Sequence, residues 1–261
     1  MHPASVTPGP PRHRFEGVDT LRGCAIVWMT VFHFCFDLNY FGYLRQNFYA
    51  DPFWTWQRTA IVSLFLFCAG LGQAIATQQG QGWPRFWRRW AQVAGCALLV
   101  TAGSYWMFPK SFIYFGVLHG IAVMLIVVRL CAPWARRHPV CLGLLGALAI
   151  AAKFVAAHVL GMGALAPFAG VFNSRELNWL GLITRLPITE DYVPIFPWLG
   201  VILWGLACGQ WLLARRPRCF NVAMPRRSAP LAWLGRHSLM WYMLHQLVLL
   251  GTLALIAWAR T

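Results

Sequence analysis

Charge is what this chain has least of. Asp, Glu, Lys and Arg together make up 11% of its 261 residues, and only seven are acidic, where soluble domains carry about 25% charged residues. That scarcity excludes a disordered chain, which needs a polar composition. The 59% apolar content exceeds what a water-soluble fold of this size can cover, so the chain is assigned to a bilayer. CxxC and His-paired spacings are missing among the eight cysteines, Cys24, Cys35, Cys68, Cys96, Cys131, Cys141, Cys208 and Cys219. They are expected to be reduced, buried space-fillers rather than metal ligands. The first 17 residues, MHPASVTPGPPRHRFEG, have no apolar core of a signal peptide. They are expected to form a short disordered arm, with residues 18–261 as one transmembrane domain.

With so few acids to balance them, 22 Lys and Arg leave a net charge of +15. In a soluble chain that would suggest a nucleic-acid partner. In a membrane chain it is the arginine that cytoplasmic loops collect, and no nucleic acid is expected.

Apolar stretches run at about 22–43, 58–77, 91–108, 112–131, 140–160, 194–213 and 238–258, each long enough to cross about 30 Å of hydrocarbon as a helix. The sequence therefore predicts an all-α, polytopic membrane bundle of about seven spans. Counted loop by loop, fifteen basic residues fall on one side, in the runs around Arg14, Arg88, Arg137 and Arg216. Six fall on the other: Arg45, Arg58, Lys110, Arg175, Arg185 and Arg260. By the positive-inside rule the N-terminus is cytoplasmic and the C-terminus external. Gly70 and Gly72, and Gly205 and Gly209, are small residues that allow close helix approach in lipid. The one long loop, 161–193, is external on this reading and of a length that often forms a lid or part of a site.

Ionisable groups inside spans are functional candidates by default. His33 lies 11 residues beyond Arg22, His119 lies 10 before Arg129, and His245 lies 9 beyond Arg236. At the α-helical rise all three sit roughly 14 to 17 Å deep, near the midplane. The coincidence favours a common cavity over three core histidines each satisfied on its own, or over a pair holding a metal or haem. Asp37 and Lys153 share a depth in the outer half of the membrane, where an ion pair would satisfy both. Asp37 is also four residues after His33 and could orient its imidazole.

The stretch RFEGVDTLRGCAIVWMTVFHFCFDL at 14–38 resembles the first-helix signature of the heparan-α-glucosaminide N-acetyltransferase catalytic-domain family and its bacterial relatives, a branch of the transmembrane acyltransferases. SLFLFCAGLG at 63–72, YFGVLHGIA at 114–122, DYVPIFPWLGVILWGLACG at 191–209 and LGRHSLMWYMLHQ at 234–246 resemble that group's later landmarks, in the same order. The resemblance implies an integral membrane enzyme, in the bacterial inner membrane, that moves an acetyl group from cytosolic acetyl-CoA to an amino sugar or other glycan acceptor on the far side. It makes Arg22 the first candidate for the phosphates of coenzyme A, with Arg236 at the same cytoplasmic mouth, while Asp19 reads from its position as the N-cap of helix one and a further donor-site candidate. In the animal members Asn stands at the position of His33, and their catalytic His lies in the loop after helix one. Here that loop, NYFGYLRQNFYADPFW, has no His, so catalysis falls to His33.

The resulting expectation is an acyltransferase with no permanently bound cofactor and no metal. His33 is general base, Asp37 orients it, and His119 or His245 stabilises the thioester oxyanion or carries the acyl group. Asp191 and Lys153 are expected at the acceptor side. The expected partners are acetyl-CoA, the glycan acceptor, the bilayer and, as an open alternative, a second copy of the chain. The reading of a different class is a membrane transporter or lipid-substrate carrier that uses the buried His, Asp and Lys without acyl transfer.

Overall fold

The computed structural model describes residues 15–163, 165–216 and 225–259. Seven long helices occupy the seven apolar stretches: α1 Glu16–Tyr40, α2 Pro52–Gln78, α3 Trp83–Met107, α4 Val117–Ala135, α5 Pro139–Met162, α7 Ile195–Arg215 and α9 Ser238–Trp258. Two shorter ones, α6 Ala169–Asn173 and α8 Ala229–Arg236, lie in the connections. Among the described residues, six helices are long and apolar enough to cross a membrane, and α3 is the long one outside that set. Its first two turns carry Arg85, Arg88 and Arg89, and Gln92, Thr101 and Ser104 interrupt the rest.

Local chemistry sets the helix ends. Asp51 caps α2, its carboxylate accepting from Phe53 N at 2.8 Å, with Pro52 at the first helical position. α1 and α2 end alike. Gly42 (φ 80°) and Gly80 (φ 64°) take the left-handed conformation, so that Tyr43 N reaches Leu38 O at 2.9 Å and Gln81 N reaches Ala76 O at 2.9 Å. The expected arm over 1–17 lies outside the described residues up to 14. From Glu16 the chain is already helical, so Asp19 stands in the first turn of α1 and is not its cap. A carboxylate there still faces the positive end of the helix dipole.

α7 packs along α2 and α5, and α4 completes that core against α2, α3 and α7. Leu66, Met124, Val128, Leu142, Ile202 and Leu206 form its fully buried centre. Gly70 and Gly205 let the α2 and α7 backbones touch: a Cβ on Gly70 would meet Leu206 N at 2.7 Å, and one on Gly205 would meet Phe67 Cα at 3.0 Å. Gly209 makes room for the Ala74 side chain, while Gly72 faces only the Arg22 guanidinium. A second core joins α1 and α2 through Ile26, Met29, Phe32, Phe48 and Ile61. α9 lies against α1 and presents mainly His245 and Leu253 inward. Outward, α3, α5 and α9 expose Leu98, Leu148, Phe154, Leu247 and Leu255. Apolar surface on that scale is foreign to water-soluble monomers.

Candidate active site

The helical period aligns Thr30, His33 and Asp37 on one face of α1, and that face meets Trp241, His245 and Gln246 of α9 in three polar rungs. Trp241 Nε1 donates to Thr30 Oγ1 at 2.9 Å. His33 Nδ1 lies 2.6 Å from His245 Nε2. Gln246 Nε2 donates to Asp37 Oδ1 at 2.8 Å. The histidine ring centroids are 4.9 Å apart with planes 11° from parallel. That separation is what the N···N distance plus one ring radius on each side gives, so the rings meet edge to edge in nearly one plane.

The backbone sets the protons of this pair. His245 Nδ1 faces the carbonyls of Tyr242 at 2.8 Å and Trp241 at 3.2 Å. A carbonyl only accepts, so Nδ1 carries the hydrogen and Nε2 is left with its lone pair. His33 Nδ1 must then donate to it. In a neutral imidazole that places the free lone pair of His33 on Nε2, which makes no hydrogen bond among the described residues. The arrangement can take up one proton at a stated atom and hold the resulting imidazolium against an acceptor.

His119 is bound elsewhere. The Gly116 N–H donates to His119 Nδ1 at 3.2 Å, so Nε2 carries the hydrogen and donates to Thr101 Oγ1 at 3.0 Å. The Thr101 hydroxyl passes on to Ile113 O at 2.8 Å. The ring thus closes the first turn of α4 and ties it to α3, and of the three histidines expected near the midplane the structure brings two together.

The two partners expected for Asp37, His33 and Lys153, are replaced by Gln246. Four residues along α1 put Asp37 on the histidine's face but one turn beyond it, where α9 presents Gln246. Lys153 is exposed on α5, its Nζ 5.9 Å from the Phe154 ring. Gln246 is the site residue that sequence reasoning missed. Its position directly after His245 in MLHQ was the available signal.

At the arginine-rich end, Asp19 and Arg22 form an ion pair at 3.6 Å, and the Arg22 guanidinium faces Gly72 of α2, where an added Cβ would come to 3.5 Å of it. α8 is pressed onto α1 at Gly23 and Gly235, where any side chain would strike Leu231 or Asp19 backbone. Arg236 is therefore held beside the first turn of α1. It also lines a largely apolar crevice of about 560 Å³ between α3 and α9, with Ala91, Gly95, Leu99, Met240 and Met243. Arg129, counted in the sequence among loop-side charges, is buried at 6% exposure. It donates to Gln81 O and lies 5.2 Å from the Trp83 ring centroid, clipping the α2–α3 turn.

At the opposite end the long loop folds onto the α3–α4 connection. Phe115 bridges Tyr192, Tyr114 donates to Asn178 Oδ1 at 3.0 Å, and the Arg175 guanidinium lies 4.4 Å from the Phe112 ring centroid. Asp191 accepts from Val117 N at 2.7 Å, at the start of α4. Burial pushes the Asp191 carboxyl above its usual range, and the Val117 hydrogen bond opposes the shift. The loop after α1 adds an open polar pocket of about 550 Å³ lined by Asn39, Arg45, Gln46, Asn47 and Tyr49. Among the described residues no cluster of three or more His, Cys, Asp and Glu is placed to hold a metal ion.

Fold and site together define a multi-pass helical membrane protein with a paired-histidine centre deep between two of its spans. The chain belongs to the heparan-alpha-glucosaminide N-acetyltransferase catalytic family, whose model matches residues 14–247, and its function is accordingly membrane acetyltransferase-like. No curated protein and no solved structure matches it.

Proposed function

We propose that the protein transfers an acetyl group from acetyl-CoA, taken from the cytoplasm, to an amino sugar or other glycan acceptor on the external face of a bacterial inner membrane. The observation that carries this reading is the His33–His245 pair, which leaves one ring nitrogen, His33 Nε2, with an uncommitted lone pair inside the helix bundle. The N-terminal end of α1 is cytoplasmic in this reading, and α3 crosses as the seventh span. Arg22, steadied by Asp19, and Arg236 take the phosphates of the donor at that end. The thioester arm then reaches three helical turns inward. His33 Nε2 removes a proton from the acceptor nitrogen or oxygen as that atom attacks the thioester carbonyl. The carbon–sulfur bond breaks, and coenzyme A leaves as its thiol once the sulfur is protonated. His245 holds the imidazolium through the same Nδ1–H bond that set the tautomer. Asp191 and Lys153 lie at the external end, on the acceptor's approach. His119, with both nitrogens engaged, supports the α3–α4 junction and has no part in the transfer.

The test is acetyl-CoA turnover by the purified full chain in detergent with a hexosamine acceptor. Label transfer to the sugar, strongly reduced by His33→Ala, is expected. A fully folded protein that binds the sugar and leaves acetyl-CoA intact would move the assignment to a carrier.

A further inference from the structure

The outermost rung between α1 and α9 is incomplete. Gln246 Nε2 satisfies Asp37 Oδ1, but Asp37 Oδ2 and Gln246 Oε1 are buried and have no hydrogen-bond partner among the described residues. Asp37 keeps 1% of its surface exposed. Such oxygens cannot turn to water inside a bilayer, and an acceptor left unmet there bears its whole desolvation cost. Both orphans are acceptors, and one of them carries negative charge. Their complement is a group with several donors on one atom and a positive charge, which is a primary ammonium. A hydroxyl has a single hydrogen and could meet only one of the two.

The position gives that complement a use. Asp37 is one turn beyond His33 on α1, and Gln246 is the residue after His245 on α9, so the unmet oxygens sit one rung outward from the basic nitrogen. We infer that Asp37 Oδ2 and Gln246 Oε1 form the subsite that selects and holds the acceptor's amino group beside His33. This assignment rests on the acyl-transfer reading for its use, though the binding it describes does not require turnover. Two ammonium N–H groups donate to the two oxygens, and the third is directed to His33 Nε2. His33 takes that proton and becomes imidazolium, leaving the nitrogen a lone pair. The lone pair forms the bond to the thioester carbonyl carbon, and the carbon–sulfur bond breaks. The nitrogen's second proton passes to the sulfur. One amide, one thiol and one imidazolium result from one ammonium, one thioester and one neutral histidine.

The experiment compares D-glucosamine with D-glucose, which differ at one carbon by ammonium against hydroxyl, as ligands of the purified full chain in lipid nanodiscs. Calorimetric titration is expected to show glucosamine binding about tenfold or more tighter, the range of one hydrogen bond to a charged group. Asp37→Asn is expected to abolish the preference while melting like the wild type, because an asparagine amide can both accept from Gln246 Nε2 and donate to Oε1. Gln246→Met is expected to weaken it, and His33→Ala to keep it while losing turnover. Equal affinity of the unmodified protein for the two sugars overturns the inference without any variant. So does an Asp37→Asn protein that keeps the preference, or an infrared band of a protonated carboxyl that Asp37→Asn removes, which would mean an acid–amide pair closed on itself. A preference that depends on Asp37 in a protein that never consumes acetyl-CoA would retain the subsite and refute the acyl-transfer reading alone.

Discussion

A histidine in a membrane helix is ambiguous until its two nitrogens are accounted for. His119 has both committed, one to Gly116 and one to Thr101, whereas His33 has one committed and, among the described residues, one open. Replacing His33 with Ala is expected to lower the transfer rate by about 10² to 10⁴, with acetyl-CoA affinity unchanged. Arg22→Ala is expected to weaken acetyl-CoA binding by about 1.5 to 3 kcal/mol. Radiolabel transfer and equilibrium binding separate the two, and an equal loss of affinity in both would mean that donor and base have been misplaced. His245→Phe removes the acceptor that orients His33, so kcat is expected to fall with little change in the donor's KM. His245→Gln, whose Oε1 can still accept from Nδ1, is expected to recover part of the rate. If Phe and Gln behave alike, His245 does not act through the tautomer.

Helix contacts here depend on where side chains are missing. α2 and α7 approach at Gly70 and Gly205 until backbone meets backbone, and a bilayer rewards such contact because packing replaces the hydrophobic drive between helices. Gly70→Leu and Gly205→Leu are each expected to cost at least about 1 to 3 kcal/mol by overpacking, read as a lower melting midpoint in detergent. Gly72→Ala should leave the midpoint in place, since its nearest neighbour is a flexible arginine tip at 3.5 Å. A Gly72 variant as damaged as the other two would contradict the packing described. The small-residue pattern of LFCAGLG and WGLACG showed that these helices approach closely. Which of the four glycines do so, Gly70, Gly205 and Gly209 but not Gly72, depends on helix rotation, which only the packed neighbour determines.

The distribution of charge over the whole chain predicts its orientation. Fifteen basic residues on one side against six on the other predict an external C-terminus. A reporter that is active only outside the cytoplasm is expected to be active when fused after Thr261. Activity there of a reporter that works only in the cytoplasm would reverse the topology, and donor and acceptor faces would exchange with it. The apolar surface of α3, α5 and α9 requires lipid for any native measurement, so each variant above is to be compared in the same detergent or nanodisc.

Composition by itself determined the solvent, since 59% apolar side chains leave no way to face water. Apolar length determined where the long helices fall, because hydrocarbon thickness sets how many residues a span needs. A fixed rise per residue also let the sequence assign a depth along each helix, and that expectation put His33, His119 and His245 at one level. Pairing was not. Which residues meet at a given depth depends on how each helix is rotated and which helix lies beside it, and those follow from side-chain contacts between residues hundreds of positions apart. Only the tertiary structure could join His33 to His245, turn His119 toward Thr101, and set Gln246 rather than Lys153 against Asp37.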